Sequence, residues 1–219
     1  ISTLVGFTFG GLFFFYSAWA EALKNMQKLK EEKLVFQYET LKSQVNPHFL
    51  FNSLNTLSSL IYTDTGKAEI FIDEFASIYR YVLENRDRFV VSLKEEVEFI
   101  KSFVYLLKIR FGEGLQFNIK IDSEKLKLNL PTLSLQLLVE NAIKHNVVTK
   151  DKPLEVFISN ENDYIFVKNN LQSREENIES TGIGLENLKQ RYKLLSNLQP
   201  EFIIENDHYI AKLPLIQAE

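Results

Sequence analysis

The 219-residue chain has the composition of a globular protein. Hydrophobic residues make up 45% of it and charged residues 25%, proportions that argue against a disordered chain. The formal net charge is −4 and the isoelectric point is near 5.6, so a broad nucleic-acid surface, which needs clustered lysine and arginine, is not expected. Because the chain has no cysteine, disulfide scaffolds, thiolate chemistry and Cys-ligated zinc are excluded.

The first segment predicts a membrane-spanning helix. Residues 1–20 carry no charge, and a helix of this length covers the roughly 30 Å hydrocarbon core of a bilayer. Lysines follow at positions 24, 28, 30 and 33, and the positive-inside rule then places the downstream residues in the cytoplasm. A buried core helix or a signal-peptide remnant is the alternative. Since the sequence begins with Ile1 and not Met, we expect it to be part of a longer protein.

The next ninety or so residues show helical patterns. Residues 21–45 contain neither Gly nor Pro and predict one helix. Asn46-Pro47 interrupts it, because an Asn cap followed by Pro favours a new helix or a kink. Further helices are predicted at about 47–62, at about 67–86, and from the Ser92–Glu95 capping box to the Gly112–Gly114 turn.

After Gly114 the pattern mixes strands with helices. Alternating residues predict strands at 115–121, 154–159, 164–168, 201–205 and 208–213. Helices are predicted from Pro131 to about Val147 and over 185–196, and the polar residues 172–181 predict a loop. This order predicts an α+β sandwich in which one sheet is layered with helices.

His48 is the first candidate for chemistry. The residues on its face of the predicted helix are polar: Asn52, Asn55, Ser59 and Tyr62. The opposite face is apolar: Leu50, Leu54, Leu57 and Ile61. This spacing predicts an imidazole presented to solvent, and a neutral imidazole is a competent nucleophile towards phosphorus. An ordinary surface histidine fits the same pattern.

Two further segments suggest a nucleotide. Asn141 follows Leu133 and Leu137 on an inward helical stripe, where an unsatisfied amide costs about 1–3 kcal/mol. A nucleotide-bound Mg²⁺ would satisfy it, and so would a neighbouring backbone group. Gly182 and Gly184 directly precede a predicted helix, an arrangement that lets backbone amides approach phosphate. A plain loop-to-helix turn explains those glycines equally well.

Three segments together resemble one family. LKSQVNPHFLFNSLN (residues 41–55) closely resembles the phospho-acceptor box of the LytS-type sensor histidine kinases. LQLLVENAIKHN (residues 135–146) is similar to the N box of that family, and TGIGLENLKQRY (residues 181–192) to its glycine box. The segments occur in the family's order, and the resemblance spans about residues 41–213.

The resemblance implies a membrane-bound protein histidine kinase of a bacterial two-component system. Its domains would be a transmembrane helix (1–20), a signalling helix (21–45), a helical dimerisation and phospho-acceptor domain (46–112), and a Bergerat-type ATP-binding domain (113–219). The protein would form a homodimer in the inner membrane, with its catalytic region in the cytoplasm. A response regulator would receive the phosphoryl group on an aspartate.

The resemblance also implies roles for single residues, with ATP and Mg²⁺ as cofactors. His48 would be the phosphorylated residue, and Asn141 would be the Mg²⁺ ligand. Lys144 and His145 would lie near the phosphates. Gly182 and Gly184 would form a mobile lid over them, and Asn187 and Arg191 would support the helix of that lid. Leu185 would also belong to the nucleotide-binding site.

Two positions depart from the family pattern. Related kinases read the adenine amino group with the Asp of a D-x-G motif, but this chain has Asn169 and Leu171 there. The Asn169 amide oxygen can still accept a hydrogen bond, though without the strength that charge gives, and Leu171 would crowd the base. Many histidine kinases place an acid directly after the histidine, whereas this chain has Phe49. Asn52 would then orient the imidazole, or Glu140 would act as its base, and we favour Glu140.

Two other functions stay open at this stage. A non-catalytic dimerisation scaffold would keep the fold and lose tight ATP binding, as the residues at 169 and 171 suggest. An ATP-driven conformational machine of the same superfamily would hydrolyse ATP without forming phosphohistidine. In the kinase, Pro47 would be a hinge through which a membrane signal moves His48 towards the nucleotide.

Overall fold

The structure is a computed structural model that describes residues 47–172 and 183–217, together with Tyr16, Trp19, Glu21, Leu23, Lys24 and Met26. Of Pro47 and His48 only the backbone is described. The chain forms two units, residues 1–52 and residues 53–219. The predicted membrane span and signalling helix lie almost wholly outside the described residues. Within the described part of the chain, no helix is both long enough and apolar enough to cross a membrane.

Three long helices come first: α1 (Pro47–Thr63), α2 (Thr65–Glu84) and α3 (Leu93–Phe111). Asp64 is the one residue between α1 and α2, and its side chain accepts a hydrogen bond from the Lys67 backbone amide at 3.0 Å. This contact satisfies one of the amides that the first turn of a helix leaves without a partner. The predicted bounds of these helices are confirmed to within two residues.

The apolar faces of α1 and α2 are only partly covered. Leu54 and Ile61, which belong to the predicted apolar stripe of α1, are 48% and 51% exposed. On α2, Ile70, Ile72 and Leu83 are 49%, 48% and 69% exposed, although other residues of α2 are buried: Ala68, Phe71 and Ile78. Large apolar side chains therefore remain open to solvent on both helices within the described chain.

A capping box fixes the start of α3, as the sequence predicts. The Ser92 side chain accepts a hydrogen bond from the Glu95 backbone amide at 3.2 Å, and the Glu95 carboxylate accepts one from the Ser92 amide at 2.8 Å. Arg88 extends the box with an ion pair to Glu95 at 2.7 Å. The helix ends at Gly112, whose φ of 56° is left-handed and suits glycine.

A five-stranded sheet forms the second half of the fold. Its strands are β2 (Leu115–Lys120), β4 (Leu154–Glu161), β5 (Tyr164–Asn170), β6 (Glu201–Glu205) and β7 (His208–Pro214), in the order β2-β4-β5-β7-β6. The pair β2–β4 is parallel and the others are antiparallel. A separate pair joins β1 (Val90–Ser92) to β3 (Asn129–Pro131). All five predicted strands are confirmed.

Two more helices accompany the sheet: α4 (Ser134–His145) and α5 (Ile183–Leu195). One face of the sheet is buried, and alternate residues of β4, β5 and β7 build it: Val156, Ile158, Ile165, Val167, Ala211 and Leu213. The helix α4 contacts β4 and β5. The buried Tyr192 of α5 donates from its hydroxyl to the Pro214 carbonyl of β7 at 2.9 Å. The predicted mixture of helices with one layered sheet is thus confirmed.

The start of α4 corrects one prediction. Pro131 was expected to open this helix, but it lies in β3 and pairs with Val90. Proline is tolerated in so small a sheet because its missing amide is not needed at an edge. The chain then turns at Leu133, which has a left-handed φ of 62°, and the helix begins at Ser134.

Glu95 should make the fold pH-dependent. Desolvation opposes ionisation of its carboxyl, but hydrogen bonds from Arg88 and Ser92 outweigh that effect and lower its pKa from 4.5 to about 2. A lowered folded-state pKa stabilises the protein above about pH 4.5, and this contribution is lost as the pH falls towards 2. We expect Glu95→Gln to reduce the free energy of unfolding by about 1–2 kcal/mol at pH 7 and by much less at pH 2.5, as measured by urea denaturation.

The matched control is Glu98→Gln on the same helix. Glu98 is 63% exposed and lies 3.8 Å from Lys94, so its replacement should change the free energy of unfolding by less than about 0.5 kcal/mol. An effect of Glu95→Gln that stays the same at both pH values would contradict the prediction.

Candidate functional site

Helix α4 carries two of the predicted nucleotide-binding side chains one turn apart. Asn141 is half-buried, and no described residue hydrogen-bonds its side chain. The Lys144 ammonium is exposed and forms no ion pair with a described residue. Residues three apart share a face of a helix. This face of α4 therefore offers an amide oxygen, which Mg²⁺ accepts as a ligand, beside a cation that attracts phosphate.

Glu140 and His145 lie on the same helix. Glu140 is half-buried, and its carboxylate accepts a hydrogen bond from Gln136 Nε2 at 3.0 Å. The preceding turn of the helix therefore holds this carboxylate in place. His145 is the last residue of α4 and is exposed. The base role of Glu140 and the phosphate contact of His145 stay predictions.

A metal ion held by the protein alone needs several ligand side chains close together. Among the described residues, no group of three or more His, Asp or Glu side chains is arranged to hold one. A magnesium ion that arrives with a nucleotide needs less from the protein, because it keeps several waters and takes phosphate oxygens as ligands. The single amide oxygen of Asn141 fits that lesser requirement.

Asn169 lies on the buried face of β5, two residues after Val167, and is 2% exposed. Its side-chain Nδ2 donates to the Asn170 carbonyl at 2.7 Å, whereas no described residue donates to its Oδ1. The first hydrogen bond fixes the orientation of the amide. Asn169 therefore presents an acceptor, as the aspartate of related kinases does.

Sequence reasoning missed Asn146, the residue directly after α4. It is 2% exposed, and its Nδ2 donates to the Ala142 carbonyl at 2.8 Å while its Oδ1 accepts from the Gln172 amide at 2.6 Å. Next to it, the Val147 amide donates to the Gln172 carbonyl at 2.8 Å. These contacts join the end of α4 to the segment that follows β5. The sequence pattern of the N box did not indicate this role for Asn146.

A cleft of about 340 Å³ opens beside this junction and is lined by Val147, Lys152, Leu171 and Gln172. Leu171 stands where the family has glycine, and its amide donates to the Asp207 carbonyl at 2.8 Å. The segment after β5 is thus tied both to α4 and to the β6–β7 turn. Leu171 lies in the wall of this cleft, and its crowding of the adenine base stays a prediction.

The glycine box is described from Ile183 onwards, so Gly182 lies outside the described residues. Gly184 lies in the first turn of α5, and a Cβ atom added there would be 2.9 Å from Leu137 Cδ1 on α4. Glycine therefore permits close packing of α4 and α5, a role the sequence did not indicate. Leu185 is half-buried and Asn187 is exposed. Their predicted nucleotide roles stay predictions.

Arg191 of α5 supports the start of α4. Its Nη1 donates to the Thr132 carbonyl at 2.7 Å, and its charge favours the ionised form of the nearby Glu96. Arg191 thus ties the helix after the glycine box to the turn that precedes the N-box helix. The role of Arg191 in support of the lid helix stays a prediction.

Glu96 of α3 is the second residue that sequence reasoning missed. It is 0% exposed, and its carboxylate accepts hydrogen bonds from the Tyr81 hydroxyl at 2.9 Å, the Leu133 amide at 2.5 Å and the Leu135 amide at 3.1 Å. We call this group, with Arg191, the Glu96 cluster. Burial raises the pKa of the Glu96 carboxyl, while its hydrogen bonds and Arg191 act in the opposite direction.

The remaining predicted site residues lie in the other unit of the chain. His48 belongs to the first turn of α1, and Asn52 follows one turn later and is half-buried. Both precede Ser53, where the second unit starts. The described nucleotide candidates therefore lie on α4, β5 and α5 of the second unit, whereas the predicted phospho-acceptor belongs to residues 1–52.

Comparison with known proteins identifies the family. Residues 36–115 match the histidine kinase family. The chain is 39% identical over 109 residues to the sensor histidine kinase BtsS of Escherichia coli K12, a match that covers 50% of this chain and 19% of BtsS. The sensor protein LytS of Streptococcus mutans is 30% identical over 177 residues, which cover 74% of this chain and 30% of that protein. The chain belongs to the LytS-type sensor histidine kinase family.

A match to LytS of Enterococcus faecalis extends over most of the chain. It is 29% identical over 220 residues, which cover 91% of this chain and 37% of that protein. The chain thus spans less than two fifths of these relatives. The resemblance stated from three sequence motifs is confirmed at the level of the histidine kinase family.

Asn146→Ala should destabilise the kinase chain. The substitution leaves the partly buried Gln172 amide and the buried Ala142 carbonyl without a side-chain partner, which should lower the free energy of unfolding by about 1–3 kcal/mol. Asn118→Ala is the control, because Asn118 is exposed on β2 and its side chain makes no hydrogen bond to a described residue. Urea denaturation of both variants measures the difference, and equal effects would show that the Asn146 contacts contribute nothing.

Proposed function

We propose that this chain is the catalytic end of a sensor histidine kinase, which transfers the γ-phosphoryl group of ATP to His48 and then to an aspartate of a response regulator. The observation that carries the proposal is the pair of side chains on α4: the half-buried Asn141 amide and the Lys144 ammonium have no partner among the described residues. An amide oxygen and an ammonium on one helical face can bind a metal ion and a phosphate, and the histidine kinase family implies that the ligand is ATP, usually with Mg²⁺.

Each residue would have a separate task in this reaction. Asn141 would hold Mg²⁺, which when bound neutralises charge on the phosphates. Lys144 would attract the same phosphates, and the Asn169 Oδ1 would accept a hydrogen bond from the adenine amino group. A bond would form between an imidazole nitrogen of His48 and the γ-phosphorus while the bond to ADP breaks. Glu140 would take the imidazole proton.

The exposed apolar side chains of α1 and α2 support a homodimer. Leu54, Ile61, Ile70, Ile72 and Leu83 are each about half-exposed or more. Such a surface gains free energy when a second copy covers it, at about 25 cal/mol per Å² of apolar area. The inner-membrane location rests on the uncharged residues 1–20 and belongs to the proposal, as does the cytoplasmic response regulator.

A non-catalytic scaffold is the second candidate, and Leu171 favours it. This side chain lines the cleft next to the predicted adenine residue, where related kinases have no side chain at all. A scaffold of this kind would keep the fold and the dimer but bind ATP weakly. Titration of the chain with ATP separates the two functions, since only the kinase needs binding in the physiological range.

The kinase reaction is tested by incubating the 219-residue chain with Mg²⁺ and γ-labelled ATP. We expect acid-labile label on the parent chain and none on His48→Ala or Asn141→Ala. Asn118→Ala, an exposed asparagine on β2, should be labelled like the parent. Label that survives in His48→Ala would refute His48 as the acceptor. ATP hydrolysis without label, unchanged in that variant, would indicate an ATP-driven machine.

Asn169 should favour adenine over guanine. Its free Oδ1 accepts a hydrogen bond from the amino group of adenine, whereas guanine offers a carbonyl oxygen at that position. Asn169→Leu should therefore weaken ATP binding by about threefold to tenfold, the value of one neutral hydrogen bond, and should reduce the preference for ATP over GTP. Calorimetric titration of both nucleotides measures this. Equal affinity of the parent chain for ATP and GTP would contradict the prediction.

A further inference from the structure

We propose that Glu96 is a positioning residue for the phosphotransfer reaction, because one carboxylate joins helix α2 to the first turn of helix α4. Displacement of α2 would then shift the nucleotide-binding residues of α4. The inference rests on the proposed function for the identity of the reaction. The joint itself consists of hydrogen bonds within residues 53–219: Tyr81 on one side, and the Leu133 and Leu135 amides on the other.

Helix α4 depends on Glu96 because its own sequence supplies no cap. Leu133 precedes the helix with a left-handed φ of 62° and makes no side-chain capping hydrogen bond. The hydroxyl of Ser134 points elsewhere and donates to the Pro131 carbonyl. The amides of a first helical turn need acceptors, and a negative charge there also interacts favourably with the helix dipole. The Glu96 carboxylate meets both needs, so it determines where α4 begins.

A shift at the start of α4 would reach the predicted nucleotide residues. Asn141 is seven residues after Ser134, which is about 10 Å along a helix. Over so short a distance a helix moves as a rigid body. The position of Asn141 and Lys144 therefore follows the position of the first turn, which Glu96 holds.

Helix α2 reaches the same carboxylate through Tyr81. Its ring stacks on Phe99 of α3 with centroids 4.5 Å apart, which holds the hydroxyl towards Glu96. Burial and the neighbouring Glu96 raise the pKa of Tyr81, so the hydroxyl keeps its proton and donates. Only Asp64 separates α2 from α1, and α1 carries His48 at its start. Helix α2, which follows the helix that carries His48, is thus hydrogen-bonded to Glu96, the residue that caps α4.

The Glu96 cluster also includes the helix after the glycine box. Arg191 of α5 donates to the Thr132 carbonyl at 2.7 Å and interacts electrostatically with Glu96. Three helices, α2 to α4, therefore meet at one buried carboxylate, and α5 is joined to them through the Arg191 contact with the Thr132 carbonyl. A simple structural anchor would stabilise the fold equally in all its parts. A positioning residue would affect ATP binding through its contacts with the Leu133 and Leu135 amides, and phosphotransfer through its contact with Tyr81. Substitutions can remove these contacts one at a time.

The test uses the 219-residue chain with two variants and two matched controls. Glu96→Gln disrupts the cap, since its amide nitrogen cannot accept from a backbone amide. Tyr81→Phe removes the α2 hydroxyl and keeps the cap and the aromatic stack. The controls are Glu98→Gln, which is exposed on α3, and Tyr79→Phe, whose hydroxyl on α2 makes no hydrogen bond to a described residue. KM for ATP and kcat for autophosphorylation are measured below the melting temperature of every variant.

We expect Glu96→Gln to raise KM for ATP about tenfold and to lower kcat as well. Tyr81→Phe should leave KM within about twofold and lower kcat about fivefold or more, because ATP still meets a capped α4 while the joint to α2 is broken. Both controls should match the parent chain. If Tyr81→Phe matches Tyr79→Phe in KM and kcat, the proposal is overturned even where the melting temperature falls.

Hydrogen exchange separates failure of this inference from failure of the proposed function. If the parent chain neither binds ATP nor becomes labelled, the proposed function fails. Hydrogen exchange at the backbone amides of α2 and α4 then tests whether Glu96 joins the two helices. Faster exchange of the Leu135 to Asn141 amides in Glu96→Gln than in Glu98→Gln, and of the Tyr81 to Glu84 amides in Tyr81→Phe than in Tyr79→Phe, would support it. Equal exchange within either pair of variants would overturn it without reference to any activity.

Discussion

The carboxylate of Glu96 is the interaction on which the arrangement of the helices depends. A buried charge is costly unless hydrogen bonds and an opposite charge compensate for its lost hydration. Here three donors and the nearby Arg191 provide that compensation. In return, the carboxylate satisfies amides at the start of α4 that no local side chain can reach. Loss of one partner would leave a charge or an amide buried without compensation, so the three helices α2 to α4 are linked at this point.

Three asparagines illustrate how the site differs from the core around it. Asn146 is buried with its donor and its acceptor both engaged, as expected of a residue that holds two segments together. Asn169 is equally buried but has an unused Oδ1, and Asn141 is half-buried with no described partner. The same side chain thus serves structure in one place and leaves binding capacity in the other two. A nucleotide is the partner that the histidine kinase family implies.

The helical part of the chain leaves a different kind of surface uncovered. Helices α1 and α2 expose the apolar side chains of Leu54, Ile61 and Leu83, although α2 packs on α3 through the stacked rings of Tyr81 and Phe99. The polar groups of Asn141 and Lys144 suit a small polar ligand, whereas exposed leucine and isoleucine suit another protein surface. The proposed dimeric kinase would use both kinds of surface, and they lie on different elements.

Local signals made much of this fold predictable. The Ser92–Glu95 capping box, the strands of the sheet and the hairpin at residues 201–213 were all identified from patterns a few residues long. Proline misled at one position, because Pro131 suits both the first turn of a helix and a strand edge. Its pairing with Val90 decided between them, and that partner lies too far along the chain for a local pattern to show it.

The sequence by itself determined the family, the phospho-acceptor motif around His48, and which residue types could meet a nucleotide. Only the tertiary structure decided which contacts the adjacent residues Glu95 and Glu96 make. Glu95 and Glu96 look alike in the first turn of α3, but the first bonds to Ser92 three residues away and the second to Leu133, 37 residues away. Capping boxes are local and can be read from spacing, whereas burial of Glu96 depends on helices that meet only when the whole chain folds.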